Sequence, residues 1–406
     1  GWGAYRMKSG RNWLALVGRD TEFTPIGIWG RNRGHGQNQA AEAWAKATGE
    51  DHHWGNPVGT SLWSKYNGNL NLWAYDEKGT LNAVYAFLRS QGIRWYMPDE
   101  IGEIVPTKDT IAVPDVDRTV KPECRIRKWS FAKYYLKRAE DELIWALRQG
   151  VNHPYGSHDY HGLAHVTRPE ETRKNHPEFY ALYNGKRDTA SSTPNPCLSS
   201  EKLLEETVRY ARFVFDMYEV PMLSIWPDDG FTAMCQCEKC KGKDTPERGR
   251  KGLLSDYVWE FVNRVAIEVE KTHPDKLIIG GAYSTYWLPP QDIEKLNSNV
   301  AVHIVNARRR YHMSPEETKK RRDAVRAWAQ MTDGKVISFM NHGGGANTPH
   351  IFAEDVKAYQ GLIQGEDMWG PYHRGRLAAP GFNHLNYYVS ARMWWDMDRN
   401  IDELLA

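Results

Sequence analysis

The sequence predicts an α/β protein, a (β/α)8 TIM barrel preceded by a small α/β domain. Two observations carry that prediction. From about residue 123 onward, short apolar runs alternate with amphipathic helical patterns, as expected of a parallel sheet covered by helices. Eight such strands over roughly 280 residues match the size of a (β/α)8 barrel. The competing architecture, a doubly wound open sheet, wants a glycine-rich phosphate loop after its first strand, and none is present.

The first domain is expected over 1–118. Residues 13–17 read as a strand, 40–47 as helix-prone and 70–75 as a second strand. A helix follows Gly79-Thr80, with Leu81, Val84, Tyr85 and Leu88 at spacings of three and four, and stops at Gly92. Residues 93–96 and 111–113 are further short strands, and the charged, proline-bounded stretch 114–122 is the linker candidate. The barrel, the expected catalytic domain, is placed over 119–406. Its strands are read at 125–131, 150–154, 222–226, 277–283, 300–305, 336–340 and 368–372, with a weak one at 179–182. Helices are read at 139–148, 200–217, 253–271, 315–331, 351–363 and 382–395.

Composition removes several function classes. Lys+Arg at 53 against Asp+Glu at 51 gives a net charge of +2, which argues against nucleic acid as the partner. Hydrophobic residues at 41% and charged ones at 26% describe a globular chain and exclude disorder for most of it. No apolar run approaches the eighteen residues of a membrane span; 277–282 is among the longest. Residues Gly1 to Arg6 have neither the basic start nor the apolar stretch of a signal peptide. The 17 Trp, 21 Tyr and 11 Phe are the unusual feature. Packing accounts for most of them, and a handful remain for stacking on sugar rings.

Catalytic residues in barrels gather where strands end. The strand at 222–226 runs into Trp226-Pro227-Asp228-Asp229-Gly230. Two adjacent carboxylates push their proton affinities apart, so one can serve as a general acid; an Asp-Gly turn with a capping Asp is the plainer alternative. Tyr283 follows the next strand, then Arg308 within Arg308-Arg309-Arg310, then His342 before three glycines. One arginine of the three suits a substrate carboxylate or sulfate. The His-Gly-Gly-Gly run resembles an esterase oxyanion loop, but no Gly-x-Ser-x-Gly supplies a nucleophile. His161 and His165 are four apart, yet no Glu follows His161 as a metalloprotease requires, so substrate hydrogen bonding is the better role for His161.

Cys235-x-Cys237-x-x-Cys240 is the sharpest local signal. Three thiols in six residues can wrap one tetrahedral ion, with Cys197 as fourth ligand, making structural zinc the expected cofactor. Disulfides and free thiols are the rivals. Cys124 is left over as a buried small residue. Four thiolates leave no open coordination position, so such a metal braces the loop, and no organic cofactor is expected.

Several segments together carry a resemblance. Gly79-Thr80-Leu81-Asn82-Ala83-Val84-Tyr85 through Gly92-Ile93-Arg94-Trp95-Tyr96-Met97-Pro98 resembles the end of the non-catalytic domain that precedes the barrel in α-glucuronidases and β-hexosaminidases. His176 to Leu182, Asn184-Gly185-Lys186-Arg187, Cys197-Leu198-Ser199, Pro227-Asp228-Asp229-Gly230 and the cysteine cluster are similar to a large, uncharacterised family of bacterial glycosidase-like proteins related to those enzymes. The resemblance covers nearly the whole chain. It implies export, hence a secreted or periplasmic location, and a general-acid carboxylate at the end of strand four. Asp229 matches that position best, with Asp228 supporting it. It also implies a shared metal or covalent link among Cys197, Cys235, Cys237 and Cys240. Where α-glucuronidases place further acidic residues on later strands, Asn341, His342, Tyr372 and His373 stand here. Glu366 and Asp367 are expected to precede the last strand, on the wrong side for catalysis.

The reading is therefore an exo-acting glycoside hydrolase of a plant or algal polysaccharide, uronate- and sulfate-bearing polymers included. Asp229 is its acid, Asp228 its support, and Arg308, His342, Tyr283, His161 and Trp226 its substrate contacts. Two alternatives stand beside it: a barrel that binds carbohydrate without cleaving it, and a polysaccharide lyase using Tyr or His as base with Arg neutralising a uronate.

Overall fold

The structure, a computed structural model, describes residues 3–21, 35–49, 54, 76–130, 139–152, 160–218, 220–306, 314–340, 347–369 and 383–405. The main elements in chain order are β1 (Tyr5–Gly10), β2 (Trp13–Gly18), α1 (His35–Thr48), α2 (Gly79–Ser90), β3 (Asp117–Val120), β4 (Ile126–Ser130), α3 (Ala139–Arg148) and α4 (Glu201–Tyr218). There follow β5 (Met222–Ser224), α5 (Ser255–Glu270), β6 (Leu277–Ala282), β7 (Val300–Asn306), α6 (Pro315–Met331), β8 (Val336–Met340), α7 (Pro349–Ala358), β9 (Gly365–Trp369) and α8 (His384–Met393).

β1, β2 and β3 form an antiparallel sheet in the order β2-β1-β3. In β1, Tyr5 and Met7 are buried while Arg6 and Lys8 are exposed, the period of two that a half-buried strand requires. Tyr5 and Met7 pack with Ala83 and Ala86 of α2 and with Trp395. The linker expected at 114–122 contains β3. Its charges suit an exposed edge, where Asp117 pairs with Arg6 and Lys8 at 2.8 and 3.0 Å.

Six parallel strands build the second sheet, in the order β5-β6-β7-β8-β9-β4. The first strand in sequence thus lies beside the last. Ile126 on one edge strand and Met222 on the other share a cluster with Ile279, Ala301 and Ile337, so the sheet curls until its edges face a common interior. Helices α4, α5 and α6 cover its outer side around Val300, Val302 and Ile304, and α3, α7 and α8 cover the outer side near Met340 and Met368.

The described residues show a curled half-barrel rather than eight regular strands. At 150–154, Val151 and Asn152 form no strand, though the Asn152 amide donates to the Arg127 carbonyl at 2.8 Å beside β4. The weak strand at 179–182 becomes a 3-10 turn (Pro177–Phe179) followed by the hairpin Leu182–Tyr183/Lys186–Arg187, outside the sheet. Instead the Leu163 amide meets the Trp226 carbonyl at 3.2 Å at the β5 edge.

Candidate active site

Beyond β5 the chain stays extended, with the Ile225 amide donating to the Ile279 carbonyl at 3.1 Å, until Gly230 turns it at φ +88°. The two carboxylates at this strand end are used differently. Asp228 is buried and faces Arg168, whose Nε and Nη2 donate to Oδ2 and Oδ1 at 2.6 and 2.8 Å, the paired fork that guanidinium offers a carboxylate. Its Oδ1 also accepts from the Asp229 amide at 2.8 Å. Asp229 points the other way and is exposed. Its Oδ1 accepts from the Gly230 amide at 3.0 Å and from the Tyr283 hydroxyl at 3.2 Å. The two carboxylates therefore do not act as a like-charged pair across one space. Burial, then the Asp229 charge and hydrogen bond, push the Tyr283 hydroxyl above its ordinary range, so it stays a donor.

Trp226 lies over Gly281 of β6. A Cβ built at 281 would fall 1.5 Å from the indole, so glycine is what lets the ring cross the interior. The other face of the indole carries His161, stacked at 4.8 Å and 22°. Tyr283 stands edge-on to both, its centroid 5.8 Å from each. His161 Nδ1 is 2.7 Å from the Pro227 carbonyl. Only an N–H can bridge that gap, so the neutral ring carries its proton on Nδ1 and turns its lone pair to Nε2. His161 holds φ at +53°, a left-handed conformation uncommon outside glycine though histidine is among the residues that adopt it. Gly162 follows because a Cβ there would sit 1.8 Å from the Ser224 carbonyl.

Deeper in the curl lies a second polar group. Lys128 of β4 and Asp367 of β9 pair at 2.9 Å with 4% and 0% of their side chains exposed. The Tyr160 hydroxyl donates to the same Asp367 oxygen at 3.0 Å, and Tyr160 stacks on Phe339 at 4.4 Å and on His303 at 5.5 Å. Burial lowers Lys128 against the opposing pull of Asp367. Burial also takes His303 down to about 3, which keeps it neutral. The expectation that Glu366 and Asp367 precede the last strand is corrected. Both lie within β9, where alternation turns Asp367 inward and sends Glu366 outward to accept from Trp394 Nε1 at 2.8 Å.

Of the sequence-predicted residues, Asp229, Tyr283, His161 and Trp226 come together at the C-terminal ends of β5 and β6. Trp226 is 1% exposed, covered by His161, so it supports that ring rather than presenting a face of its own. Arg308 and His342 lie outside the described residues, as do Asn341, Tyr372 and His373. His165 turns away from His161 and stacks on Tyr210 at 6.0 Å. Cys197, Cys235, Cys237 and Cys240 place their sulfurs within 4.8 Å of one another, none in a disulfide, while Cys124 is buried elsewhere. Sequence reasoning missed Arg168, Lys128, Tyr160 and His303. Lys128 and Asp367 left a signal: each is a charged residue inside an otherwise strand-like run.

A curled parallel sheet with a carboxylate, a phenol and an imidazole grouped at its C-terminal ends defines a mixed α/β protein whose half-barrel sheet has a polar, aromatic mouth. The chain belongs to the family described as Domain of unknown function (DUF4838), whose model matches residues 96–406. Among curated proteins none matches. Similar solved structures include a family 89 glycoside hydrolase from Clostridium perfringens in complex with PUGNAc, at 11% identity, 81% of this chain and TM-score 0.46. A family 138 enzyme targeting pectin rhamnogalacturonan II is similar at 9% identity over 82% of this chain, TM-score 0.35. The chitobiase of Flavobacterium johnsoniae is similar at 13% identity over 70%, TM-score 0.37. The chain spans 44% of the length of each of these proteins.

Proposed function

We propose that the protein is an exo-acting glycoside hydrolase of plant or algal polysaccharide, with Asp229 as general acid. The observation that carries this is the convergence of Asp229, Tyr283 and His161 at the C-terminal ends of adjacent parallel strands, where barrel enzymes keep their chemistry. Asp229 in its acid form gives its proton to the glycosidic oxygen as the carbon–oxygen bond breaks; a second carboxylate or a positioned water completes the displacement, and the water that adds to the sugar carbon returns a proton to the Asp229 carboxylate. Tyr283 holds the Asp229 carboxyl in one orientation. Asp228, occupied by Arg168, positions the backbone of Asp229 and does not face the sugar. His161 Nε2 accepts from a substrate hydroxyl, and Arg308 and His342 are further substrate contacts in this reading, Arg308 toward a uronate or sulfate.

The fixed tautomer of His161 favours one second reading, a uronate lyase. There the proton beside the carboxylate passes to His161 Nε2, the bond to the leaving oxygen breaks as a double bond forms, and Tyr283 protonates that oxygen. The test is turnover on aryl glycosides and on plant and algal polysaccharides by the parent and by Asp229→Asn. The hydrolase reading expects reducing ends and a loss of about 10²–10⁴-fold in Asp229→Asn. Ultraviolet-absorbing unsaturated ends, lost in His161→Gln and kept in Asp229→Asn, would establish the lyase instead. Sugar binding with no turnover by the parent would leave a binding protein.

A further inference from the structure

The four clustered thiols take no part in the chemistry above, and their arrangement points to a ligand of their own. We propose that Cys197, Cys235, Cys237 and Cys240 bind one zinc ion as a closed tetrathiolate site that staples the loop after β5 to the segment before α4. The sulfur of Cys197 lies 3.7 Å from that of Cys237 and 3.5 Å from that of Cys240, and Cys237 and Cys240 are 3.5 Å apart. Four sulfurs at about 2.3 Å from a central zinc stand about 3.8 Å apart along the edges of a tetrahedron. These three edges lie within 0.3 Å of that figure, the fourth sulfur, of Cys235, is within 4.8 Å of the others, and Cys197 is nearly as close to Cys237 as to Cys240, so the spacing singles out no pair. One shared ion explains this; a pair of disulfides does not.

The surroundings suit thiolates. The Leu182 amide donates to Cys235 Sγ at 3.2 Å, and the Tyr257 hydroxyl lies 3.1 Å from Cys240 Sγ. Such donors orient metal-bound sulfur and spread its charge. Soft thiolates in a tetrahedron select zinc among the common divalent ions. All four positions are taken by protein, so the ion is structural and the site stands whether or not Asp229 is catalytic. The loop it would hold has little regular structure between β5 and the 3-10 turn Pro246–Arg248. The metal, with the Gln236 amide to the Leu182 carbonyl at 2.8 Å and the Asn184 amide to Gln236 Oε1 at 2.7 Å, replaces the sheet and helix bonds that segment lacks.

The experiment is elemental analysis and zinc-edge X-ray absorption on the full chain, purified in reductant without chelator or affinity metal. We expect one zinc per chain, four sulfurs at about 2.3 Å, and zinc content falling well below one in Cys197→Ser and Cys237→Ser but unchanged in Cys124→Ser. The spectrum of the parent needs no variant to fold. Iron in place of zinc, an intact mass lowered by disulfide formation, or a reduced, metal-free chain that takes up no added zinc would each overturn the proposal.

Discussion

Lys128→Met tests whether the charge pair inside the curl is built as described. Methionine keeps most of the length and bulk of the lysine stem and deletes the ammonium, leaving Asp367 in a place where its side chain sees no solvent. Removing one partner of a buried pair costs about 3–5 kcal/mol, because the other charge stays behind. The Tyr160 hydroxyl still donates to Asp367 Oδ2 at 3.0 Å, so we expect the lower end, about 3 kcal/mol. Adding Asp367→Asn removes the stranded charge with little change of shape, and the double variant should return to within about 1–2 kcal/mol of the parent. Urea unfolding of the parent, both single variants and the double gives the coupling directly. A coupling below about 0.5 kcal/mol, or a Lys128→Met protein as stable as the parent, would refute the reasoning.

Acid should weaken the fold through buried histidines. Burial holds His303 at about 3 and His384 at about 4, against an ordinary 6.5, so both take up protons more readily when unfolded. Their contribution is complete above about pH 6.5 and lost as pH falls toward the folded values, about 2 kcal/mol each by pH 5. Denaturation midpoints at pH 7.5 and 5 read this, and equal midpoints would contradict it. Gly281→Ala should cost about 1–3 kcal/mol, since its methyl would meet an indole already covered by His161. A neutral substitution with unchanged tryptophan fluorescence would show that the ring does not lie there.

What the sequence made legible was local. The helix at 315–331 is found at its predicted bounds, with the Ser314 hydroxyl accepting from the Glu317 amide and Pro315 at its first position. The strands predicted at 277–283, 300–305 and 336–340 contain or closely match strands β6, β7 and β8. The cysteine cluster and the Asp228-Asp229-Gly230 strand end were visible as spacings. Long-range pairing was not. Lys128 and Asp367 lie 239 residues apart, and the charges in the middle of β9 read as a strand boundary, which puts the last strand three residues late. The strand β1 carries little signal in the sequence because only Tyr5 and Met7 mark its buried face. β3 resembles a linker because an exposed edge strand carries the charges and flanking prolines of one. Nothing local in Asp228 or Asp229 tells which faces Arg168 and which faces Tyr283.

Four bonds tie residues 161–168 to residues 226–228: His161 to the Pro227 carbonyl, Leu163 to the Trp226 carbonyl and the paired Arg168 fork to Asp228. These segments are sixty-odd residues apart in sequence but behave mechanically as one clamp. An engineer who swaps the Asp229 loop between relatives must transplant the 161–168 segment with it. A graft of either piece alone would strand a buried carboxylate and release the imidazole from its only fixed proton.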